Sequence, residues 1–363
     1  MADNYQNELK NLRDEIDKVD DDILNFLNKR AKLVKKVGAV KKKLKTSFYV
    51  PHREDEIIKR LTKKCKGDFP KNAVKPVFKE IISACLSLEK TLKIAFLGPF
   101  ATFTHDAALR FFGQNARYVP IRSIADIFDE VAKGRADLGV VPVENSTEGV
   151  VSYTLDMFLK YDLFISGEII LPITHCLISS LNKKEDVKKI YSHPQAFAQC
   201  RGWIEKNMSS CMMIEVNSTA EAAELARKDD NAAAIAGEAA AKIYDLNILE
   251  KNIQDLNENS TRFLIIGKIK HKKTGADKTS ILFSIRDEPG ALYNMLSPFA
   301  KRNINLTKIE SRPVKTKAWE YVFFLDLDGH IDDKNVSNAI NELKSKIVFL
   351  KVIGSYPKFK KED

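Results

Sequence analysis

The 363-residue sequence predicts three successive domains: an all-α helical bundle over 1–91, a two-lobed α/β domain over 92–268 and a small α+β, ferredoxin-like domain over 278–363. Three observations predict this order. An apolar series at heptad-like spacing runs along the first 45 residues, as in helices that pack on other helices. Short β-branched runs ending in Gly, Pro, Ser or Thr clusters recur in the middle, as in open α/β sheets. The last segment has the pattern strand–helix–strand–strand–helix–strand.

Composition excludes several classes of protein. The formal net charge is +10, but the lysines are spread along the chain, which favours attraction of small polyanions over nucleic-acid binding. Five cysteines without a C-x-x-C pair and six scattered histidines predict a reducing compartment and no metal site. The polar N-terminus and the lack of a long apolar run predict neither a signal peptide nor a membrane partner. We therefore expect a cytoplasmic protein.

The first helix is predicted over residues 4–45. Its apolar residues recur at steps of three and four: Leu9, Leu12, Ile16, Val19, Ile23, Phe26, Leu33, Val37, Val40 and Leu44. One position of this seam is occupied by Arg30, which is costly to bury unless it is paired. Arg30 either sets the helix register, pairs with a glutamate, or faces a bound anion. Two shorter helices follow, one beginning near His52 and one from about 72 to 91.

The spacing of the cations on the first helix has a geometric consequence. Arg30 and Lys41 are eleven residues apart and share a face, roughly 16 Å from each other along the axis. Arg13 lies roughly 25 Å before Arg30, beyond the reach of a small ligand held there. If Arg13 is functional, it serves a site in a second subunit, and we expect a homodimer or a higher oligomer.

This helical segment resembles the all-helical, AroQ-type chorismate mutases. The resemblance rests on LRDEID at 12–17, NKRAKLVKKVGAVK at 28–41 and PHRE at 51–54. It implies that chorismate is held by Arg30 and Lys41, with Arg13 donated by the partner subunit. It also implies a role in substrate binding for the next pair, Arg53 and the hydroxyl-binding Glu54.

Three positions depart from the pattern of that family. Val50 stands where many members have aspartate, Cys85 where serine is common, and Glu89 where glutamine is common near the ether oxygen of the substrate. Glutamine can donate to that oxygen at any pH, whereas glutamate can donate only when it is protonated. Glu89 is therefore either a pH-sensitive site residue or an exposed glutamate in the last turn of its helix.

Four polar segments mark the middle domain. They are GPFATFTH at 98–105, VPVENSTEG at 141–149, SHPQAFAQC at 192–200 and STRF at 260–263. Ligands of open α/β sheets bind at such strand ends, where loops and helix N-termini offer N–H groups to anions. Two αβ units, with the chain returning to the first, predict a cleft between two lobes that takes a small acidic molecule.

These four segments resemble the prephenate dehydratases, which need neither metal nor cofactor and share the two-lobed, periplasmic-binding-protein-like fold. The resemblance implies a site made of Thr102, Thr104, Asn145, Ser192, Gln199, Thr261 and Arg262. In it Thr261 is the candidate proton donor, and Arg262 is expected to bind a substrate carboxylate. Ala101 departs from the glycine that is usual in the first loop. Without the family, Thr and Ser at strand ends are most often caps or turn formers.

The last segment follows a polar linker at 269–277 and resembles the ACT regulatory domain. GALY at 290–293 and ESRP at 310–313 match the phenylalanine-binding motifs of such dehydratases. The resemblance therefore implies an effector site for L-phenylalanine at Gly290, Ala291, Leu292, Glu310, Ser311, Arg312 and Pro313.

Together the resemblances imply a bifunctional enzyme that converts chorismate to prephenate and prephenate to phenylpyruvate, with feedback inhibition by phenylalanine. Two alternatives remain open. One is a dehydratase that prefers arogenate and carries a vestigial mutase. The other is a non-catalytic amino-acid sensor built from the two-lobed domain and the ACT domain.

Overall fold

The computed structural model describes residues 2–44, 51–256, 258–285, 288–313 and 321–359. Val50, one of the departures noted above, lies outside these residues. Within them, no helix is long and apolar enough to cross a membrane. The same residues contain no group of three or more His, Cys, Asp or Glu side chains placed to hold a metal ion.

The chain divides into two compact units. The first comprises residues 1–92 and 112–117, and the second comprises 93–111 and 118–363. The two lobes of the middle domain and the C-terminal domain thus share one unit. This is a closer association than the polar linker at 269–277 suggests.

The first unit is helical, as predicted. Its helices are α1 (Ala2–Leu44), α2 (Pro51–Lys64) and α3 (Lys71–Glu89). Helix α1 contains no proline, and its 43 residues extend about 64 Å. Gly38 is buried where α1 meets α3. A Cβ atom at this position would lie only 3.1 Å from Cγ of Glu89. Glycine at this position permits the close approach of the two helices.

The apolar series of α1 is not buried within the chain. Its ten members, from Leu9 to Leu44 as named above, are 48% to 68% exposed. We call this row of side chains the α1 stripe. The predicted helix is confirmed, but its apolar series is not covered by another helix among the described residues of the chain.

The second unit opens with the first lobe of the α/β domain. Its elements are β1 (Lys93–Leu97), α4 (Phe103–Phe112), β2 (Arg117–Ile121), α5 (Ile124–Ala132), β3 (Leu138–Asn145), β4 (Gly149–Val150), α6 (Ser152–Lys160) and β5 (Phe164–Pro172). Ser123 caps α5 by accepting a hydrogen bond from the Asp126 N–H, as expected for serine before a helix.

The second lobe follows directly. Its elements are β6 (Cys176–Ser179), a 3₁₀ turn (Lys184–Asp186), β7 (Lys189–Ser192), α7 (Pro194–Gln199), α8 (Arg201–Asn207), β8 (Met212–Glu215), α9 (Thr219–Lys228), β9 (Ala232–Ala236), α10 (Glu238–Tyr244) and β10 (Asn247–Glu250). Its strands are ordered β10-β6-β9-β7-β8. The alanine-rich strand β9 is completely buried at the centre of the sheet.

The chain then returns to the first lobe through β11 (Ser260–Gly267). This strand enters between β3 and β5 and pairs antiparallel with both. The first sheet consequently has the order β2-β1-β3-β11-β5. The predicted return of the chain is confirmed, and it places two polar segments, VPVENSTEG and STRF, on adjoining strands.

The C-terminal domain has the predicted order of elements. They are β12 (Asp277–Ser284), α11 (Ala291–Ala300), β13 (Leu306–Pro313), β14 (Tyr321–Asp328), α12 (Lys334–Lys344) and β15 (Phe349–Pro357). The strand order β13-β14-β12-β15 is the ferredoxin-like arrangement.

The C-terminal sheet has an apolar core on each face. On one face, residues such as Ile281 and Phe283 pack with α11 and α12. On the other, Leu282, Phe324 and Ile353 belong to the same core as the first lobe of the α/β domain. Because burial of such side chains contributes about 1.5–3 kcal/mol each, the domain is an integral part of this unit.

Candidate active sites

The end of strand β3 positions an amide side chain. Asn145 Oδ1 accepts hydrogen bonds from the backbone N–H groups of Thr147 and Glu148, both at 3.0 Å. These backbone groups can only donate, so the orientation of the Asn145 amide is fixed. Its Nδ2 consequently points to the adjoining strand, where it donates to Thr261 Oγ1 at 2.8 Å and to Asn259 Oδ1 at 2.8 Å.

The hydroxyl oxygen of Thr261 is thereby held as an acceptor of the Asn145 amide. Its oxygen accepts from Asn145, so its own proton must be directed elsewhere. Among the described residues no acceptor for that proton is found. Thr261 is 9% exposed and is aligned with Asn145 by the register of the two strands. The Thr261 hydroxyl therefore donates in a direction away from Asn145.

The network extends into the second lobe. Asn259 Nδ2 donates to Gln199 Oε1 at 3.2 Å, and the same oxygen lies 2.8 Å from His175 Nε2. Since the Gln199 oxygen can only accept, His175 must carry its proton on Nε2. Burial lowers the pKa of His175, although the bond to Gln199 opposes this. Its buried Nδ1 has no hydrogen-bond partner among the described residues.

The loop at 98–105 is shaped by an alanine in an unusual conformation. Ala101 has φ of +67° and packs among the alanines of the second lobe, including Ala220 and Ala236. Its N–H donates to His105 Nδ1 at 3.3 Å. The departure from glycine therefore leaves a residue in a left-handed conformation whose methyl group is buried between the lobes.

The helical unit gathers several of its predicted residues along the contact of α1 with α3. Arg30 Nη1 donates to the Ile81 carbonyl at 3.4 Å, and Lys41 Nζ lies 2.9 Å from Glu89 Oε2. Cys85 is buried and lies one turn from both Ile81 and Glu89 on α3. The Glu89 side chain is only 7% exposed. The alternative of an exposed glutamate is therefore wrong.

Glu54 of α2 lies beside this helix pair, in a cleft that Lys79 and Ser83 also line. Part of the residue remains exposed. Burial of the carboxyl nevertheless raises the pKa of Glu54 to about 7, with Asp55 acting in the same direction and Lys79 and Arg30 opposing it. A carboxyl with this pKa can both donate and accept hydrogen bonds near neutral pH.

Comparisons with known proteins agree with the three-part organisation. The chain matches the chorismate mutase type II family over residues 12–90, the prephenate dehydratase family over 94–271 and the ACT domain over 279–345. It is 57% identical to the bifunctional chorismate mutase/prephenate dehydratase of Aquifex aeolicus, over 97% of this chain and 98% of that protein. The chain belongs to the bifunctional chorismate mutase/prephenate dehydratase family.

Two further relatives support this assignment. The bifunctional protein of Pseudomonas aeruginosa is 44% identical over 99% of both chains. The structure of the prephenate dehydratase of Arthrobacter aurescens in complex with L-Phe matches with a TM-score of 0.68 and 35% identity, over 74% of this chain and 90% of that chain. The protein is thus a chorismate mutase (an isomerase) and a prephenate dehydratase (a carbon–oxygen lyase), with a C-terminal ACT domain.

The structure of this mutase–dehydratase does not bring all predicted dehydratase residues together. It joins Asn145, Gln199 and Thr261. Ser192 is completely buried and donates to the Ile235 carbonyl at 2.8 Å, which ties β7 to β9. Thr102 Oγ1 accepts from the His105 N–H at 3.3 Å, as a cap at the start of α4. Thr104 is buried in the same helix.

Arg262 requires a correction. It follows Thr261 in a β-strand and so points to the opposite face of the sheet. Its side chain is 6% exposed, with Nε donating to Glu168 at 2.8 Å and Nη1 donating to Glu144 at 3.1 Å. Nη2 donates to Tyr356 of the ACT domain at 3.1 Å. The expected contact with a substrate carboxylate does not fit this position.

Three members of the Thr261 network were not predicted: Thr147, Asn259 and His175. Asn259 had an available signal, because it lies two residues before Thr261 at the entry to β11, and residues two apart along a strand share a face. Thr147 lies in a quoted motif, and its hydroxyl donates to Asn145 Oδ1 at 2.7 Å. No sequence signal identifies His175, since a single histidine between two strands is not a recognisable pattern.

The predicted effector residues lie on two elements of the ACT domain. Gly290, with φ of +78°, precedes α11, which begins with Ala291 and Leu292. Glu310, Ser311, Arg312 and Pro313 end the edge strand β13. Glu310 and Arg312 are partly buried, whereas Ser311 and Pro313 are exposed on the other face.

The remaining mutase residues lie apart in the single chain. Arg13 is exposed on the N-terminal half of α1. The Arg53 side chain is 65% exposed and pairs with Glu56 on its own helix at 3.0 Å. Neither residue contacts Arg30 or Lys41 within the described part of the chain.

Proposed function

We propose that the network of Asn145, Thr147, His175, Gln199, Asn259 and Thr261 is the dehydratase site and that Thr261 is its proton donor. The observation that carries this proposal is the fixed orientation of Asn145, which obliges Thr261 to accept from the amide and to direct its own proton outward. A donor whose direction is set before the ligand arrives needs no reorganisation during the reaction.

The chemistry of prephenate fits such a site. The bond between the ring and its carboxylate breaks, and carbon dioxide leaves. The electron pair of that bond completes the aromatic ring as the ring C–O bond breaks, and the departing oxygen takes a proton and leaves as water. Phenylpyruvate remains. Thr261 donates its hydroxyl proton to the departing oxygen, and solvent returns a proton to the Thr261 oxygen.

In this proposal the substrate carboxylates are bound by groups other than Arg262, whose side chain is 6% exposed and already pairs with carboxylates of the protein. The hydrogen bonds of the Thr261 network involve no cationic side chain of the described residues. We therefore assign carboxylate binding to backbone N–H groups and neutral donors of the cleft.

The experiment compares Thr261→Ala with Thr261→Ser. Loss of the donor should lower the dehydratase kcat roughly 10²- to 10⁴-fold, whereas serine should restore a large part of it. Thr154→Ala is the matched control, since Thr154 donates to the Pro142 carbonyl at 2.6 Å outside the network. Mutase turnover should stay unchanged in all three. A wild-type dehydratase kcat in Thr261→Ala would remove Thr261 from the mechanism.

For the mutase, we propose a site shared between two subunits. Arg30, Lys41, Glu54, Cys85 and Glu89 come from one chain, and Arg13 comes from the partner. Two observations support this assignment. Arg13 is too far from Arg30 along α1 to reach the same ligand, and the α1 stripe leaves ten apolar side chains uncovered in the single chain. A second copy of α1 has the matching heptad pattern.

Mixing two inactive variants tests this arrangement. Arg13→Ala and Arg30→Ala should each be nearly inactive as mutases. A heterodimer of the two carries one site with both arginines, so random mixing should restore about one quarter of the wild-type mutase activity. Verified heterodimers without mutase activity would make Arg13 a structural residue.

L-phenylalanine is the proposed effector, bound at GALY and ESRP of the ACT domain. We propose the functional boundaries 1–91, 92–268 and 278–363, and a cytoplasmic location, in keeping with five cysteines of which none forms a disulfide. Assays with prephenate and arogenate in parallel test the preferred acid. A higher kcat/KM for arogenate would favour the alternative dehydratase.

A further inference from the structure

The two catalytic strands carry a second pair of side chains on their other face. Thr261 is aligned with Asn145, and Arg262 is aligned with Glu144, in the pairing of β11 with β3. Because side chains alternate along a strand, Asn145 and Thr261 each have a neighbour that points the opposite way. Glu144 and Arg262 are those neighbours, and both contact the ACT domain.

Their contacts form one ionic network, in which each strand of the ACT sheet provides one residue. Lys278 of β12 lies 2.9 Å from Glu168, and Lys308 of β13 pairs with Glu144. Asp326 of β14 lies 2.7 Å from Arg262 Nη1, and Tyr356 of β15 accepts from Arg262. We call this set, with Glu144, Glu168 and Arg262, the interdomain network.

Strand β13 is the part of this network that also carries ESRP. Its burial alternates, so that Lys308, Glu310 and Arg312 share the partly buried face. That face contacts the dehydratase lobe twice. Lys308 pairs with Glu144, and Arg312 Nε lies 3.9 Å from Asp156 on α6. A displacement of β13 therefore moves Lys308 and Arg312 together.

We propose that the contact between Lys308 and Glu144 transmits effector binding to the dehydratase site, with Glu144 as a positioning residue for Asn145. The proposal rests on the proposed function, in which phenylalanine binds near ESRP. An effector that shifts β13 changes the distance between Lys308 and Glu144, and with it the attraction between their charges. The next residue, Asn145, orients Thr261 through its amide, so a small change at Glu144 alters the direction of the proton donor.

The charge state of the contact suits this role. Partial burial of Glu144 acts against ionisation, but Lys308 and Arg262 together lower the pKa of its carboxyl. The carboxylate therefore stays ionised at neutral pH and keeps its attraction to Lys308. Phenylalanine binding can therefore affect the position of Asn145 without changing the protonation state of Glu144.

The test replaces Lys308 by methionine, which keeps most of the stem and removes the charge. We expect kcat to fall in the same sense as in Glu144→Gln, KM to change little, and phenylalanine to bind with nearly wild-type affinity in calorimetry. Inhibition should weaken about tenfold or more, as expected for the loss of a coupling free energy of this kind. Lys308→Arg should restore inhibition. Glu144→Gln should weaken inhibition as well, and it should lower kcat without raising KM.

Lys346→Met is the matched control. Lys346 pairs with Glu342 at 3.1 Å within the ACT domain, and its removal should leave inhibition unchanged. Deletion of the whole domain is unsuitable as a test, because it would expose the shared apolar core and leave Arg262 and Glu168 without their ACT partners.

The outcomes separate the two levels of the proposal. Wild-type protein that neither binds phenylalanine nor is inhibited by it would overturn the proposed effector. Wild-type inhibition that persists unchanged in a folded Lys308→Met variant would overturn the coupling alone. Loss of phenylalanine binding in Lys308→Met would also overturn the coupling, because Lys308 would then be part of the effector site.

Discussion

Replacement of Arg262 by leucine decides between the two roles considered for this residue. The sequence motif predicts a substrate ligand, whereas the structure places the guanidinium in the interdomain network, 6% exposed. The two roles predict opposite effects. Loss of a substrate ligand raises KM in a stable protein, and loss of a buried network member destabilises a protein that still binds its substrate.

The size of the effect follows from the charges. The interdomain network balances three cations (Arg262, Lys278 and Lys308) with three carboxylates (Glu144, Glu168 and Asp326). Removal of one cation from such a set leaves an uncompensated negative charge, which costs about 3–5 kcal/mol. For a unit of this size, that corresponds to a melting temperature lower by roughly 6–20 °C. Burial lowers the pKa of Arg262, but Tyr356 and the three carboxylates outweigh it and raise that pKa, so the charge is permanent.

The assay measures two quantities on the same preparation. Thermal unfolding followed by circular dichroism gives the melting temperature. Initial rates of phenylpyruvate formation at low temperature give KM for prephenate. We expect a clear loss of stability in Arg262→Leu with KM within about threefold of wild type. Loss of a charged hydrogen bond to substrate would instead raise KM roughly 10- to 150-fold.

Two further variants sharpen the result. Arg201→Leu removes an exposed arginine that also pairs with a carboxylate at 2.8 Å, and it should barely change the melting temperature. Combining Arg262→Leu with Asp326→Asn restores the charge balance, so the double variant should be more stable than the sum of the single effects predicts. A large rise of KM in Arg262→Leu at an unchanged melting temperature would refute the network role and restore Arg262 as a substrate ligand.

The other predictions concern one residue or one matched pair each. Because the pKa of Glu54 is raised to about 7 from 4.5, the folded protein keeps a proton that the unfolded chain releases. Stability and mutase activity should therefore fall as the pH rises through this window, and Glu54→Gln should flatten both profiles. Unchanged profiles in Glu54→Gln would exclude Glu54 as their cause. Ala101→Gly should leave the melting temperature almost unchanged, because relief of about 1 kcal/mol of left-handed strain is offset by the loss of a buried methyl group. Ala101→Val should lower it. His175→Gln should keep the donor to Gln199 and the dehydratase kcat, whereas His175→Leu should lower kcat roughly tenfold with little change in KM; equal activity in the two would make the donor unimportant.

The fold was largely predictable because its signals are local. The heptad series, the β-branched runs and the turn residues each act over a few positions, and the order of elements follows from them. The segments containing Asn145 and Thr261 were also recognisable. Their contact was not, because the pairing of β3 with β11 joins residues 116 positions apart.

The direction of a side chain was the least predictable property. The resemblance to the dehydratase family assigns Arg262 to the substrate, although alternation along β11 turns it to the face opposite Thr261. The acceptors for Arg262 come from four separate strands, β3, β5, β14 and β15. No local pattern in the sequence identifies such a set.

The exposed α1 stripe implies that the mutase activity depends on the concentration of the protein. If a second copy covers this stripe and donates Arg13, each mutase site exists only while two chains are associated. The hydrogen bonds of the Thr261 network, in contrast, join residues of one chain. Dilution should therefore reduce the specific mutase activity before it reduces the specific dehydratase activity. In a cell that makes little of this protein, prephenate produced elsewhere would still be consumed when chorismate is no longer rearranged by it.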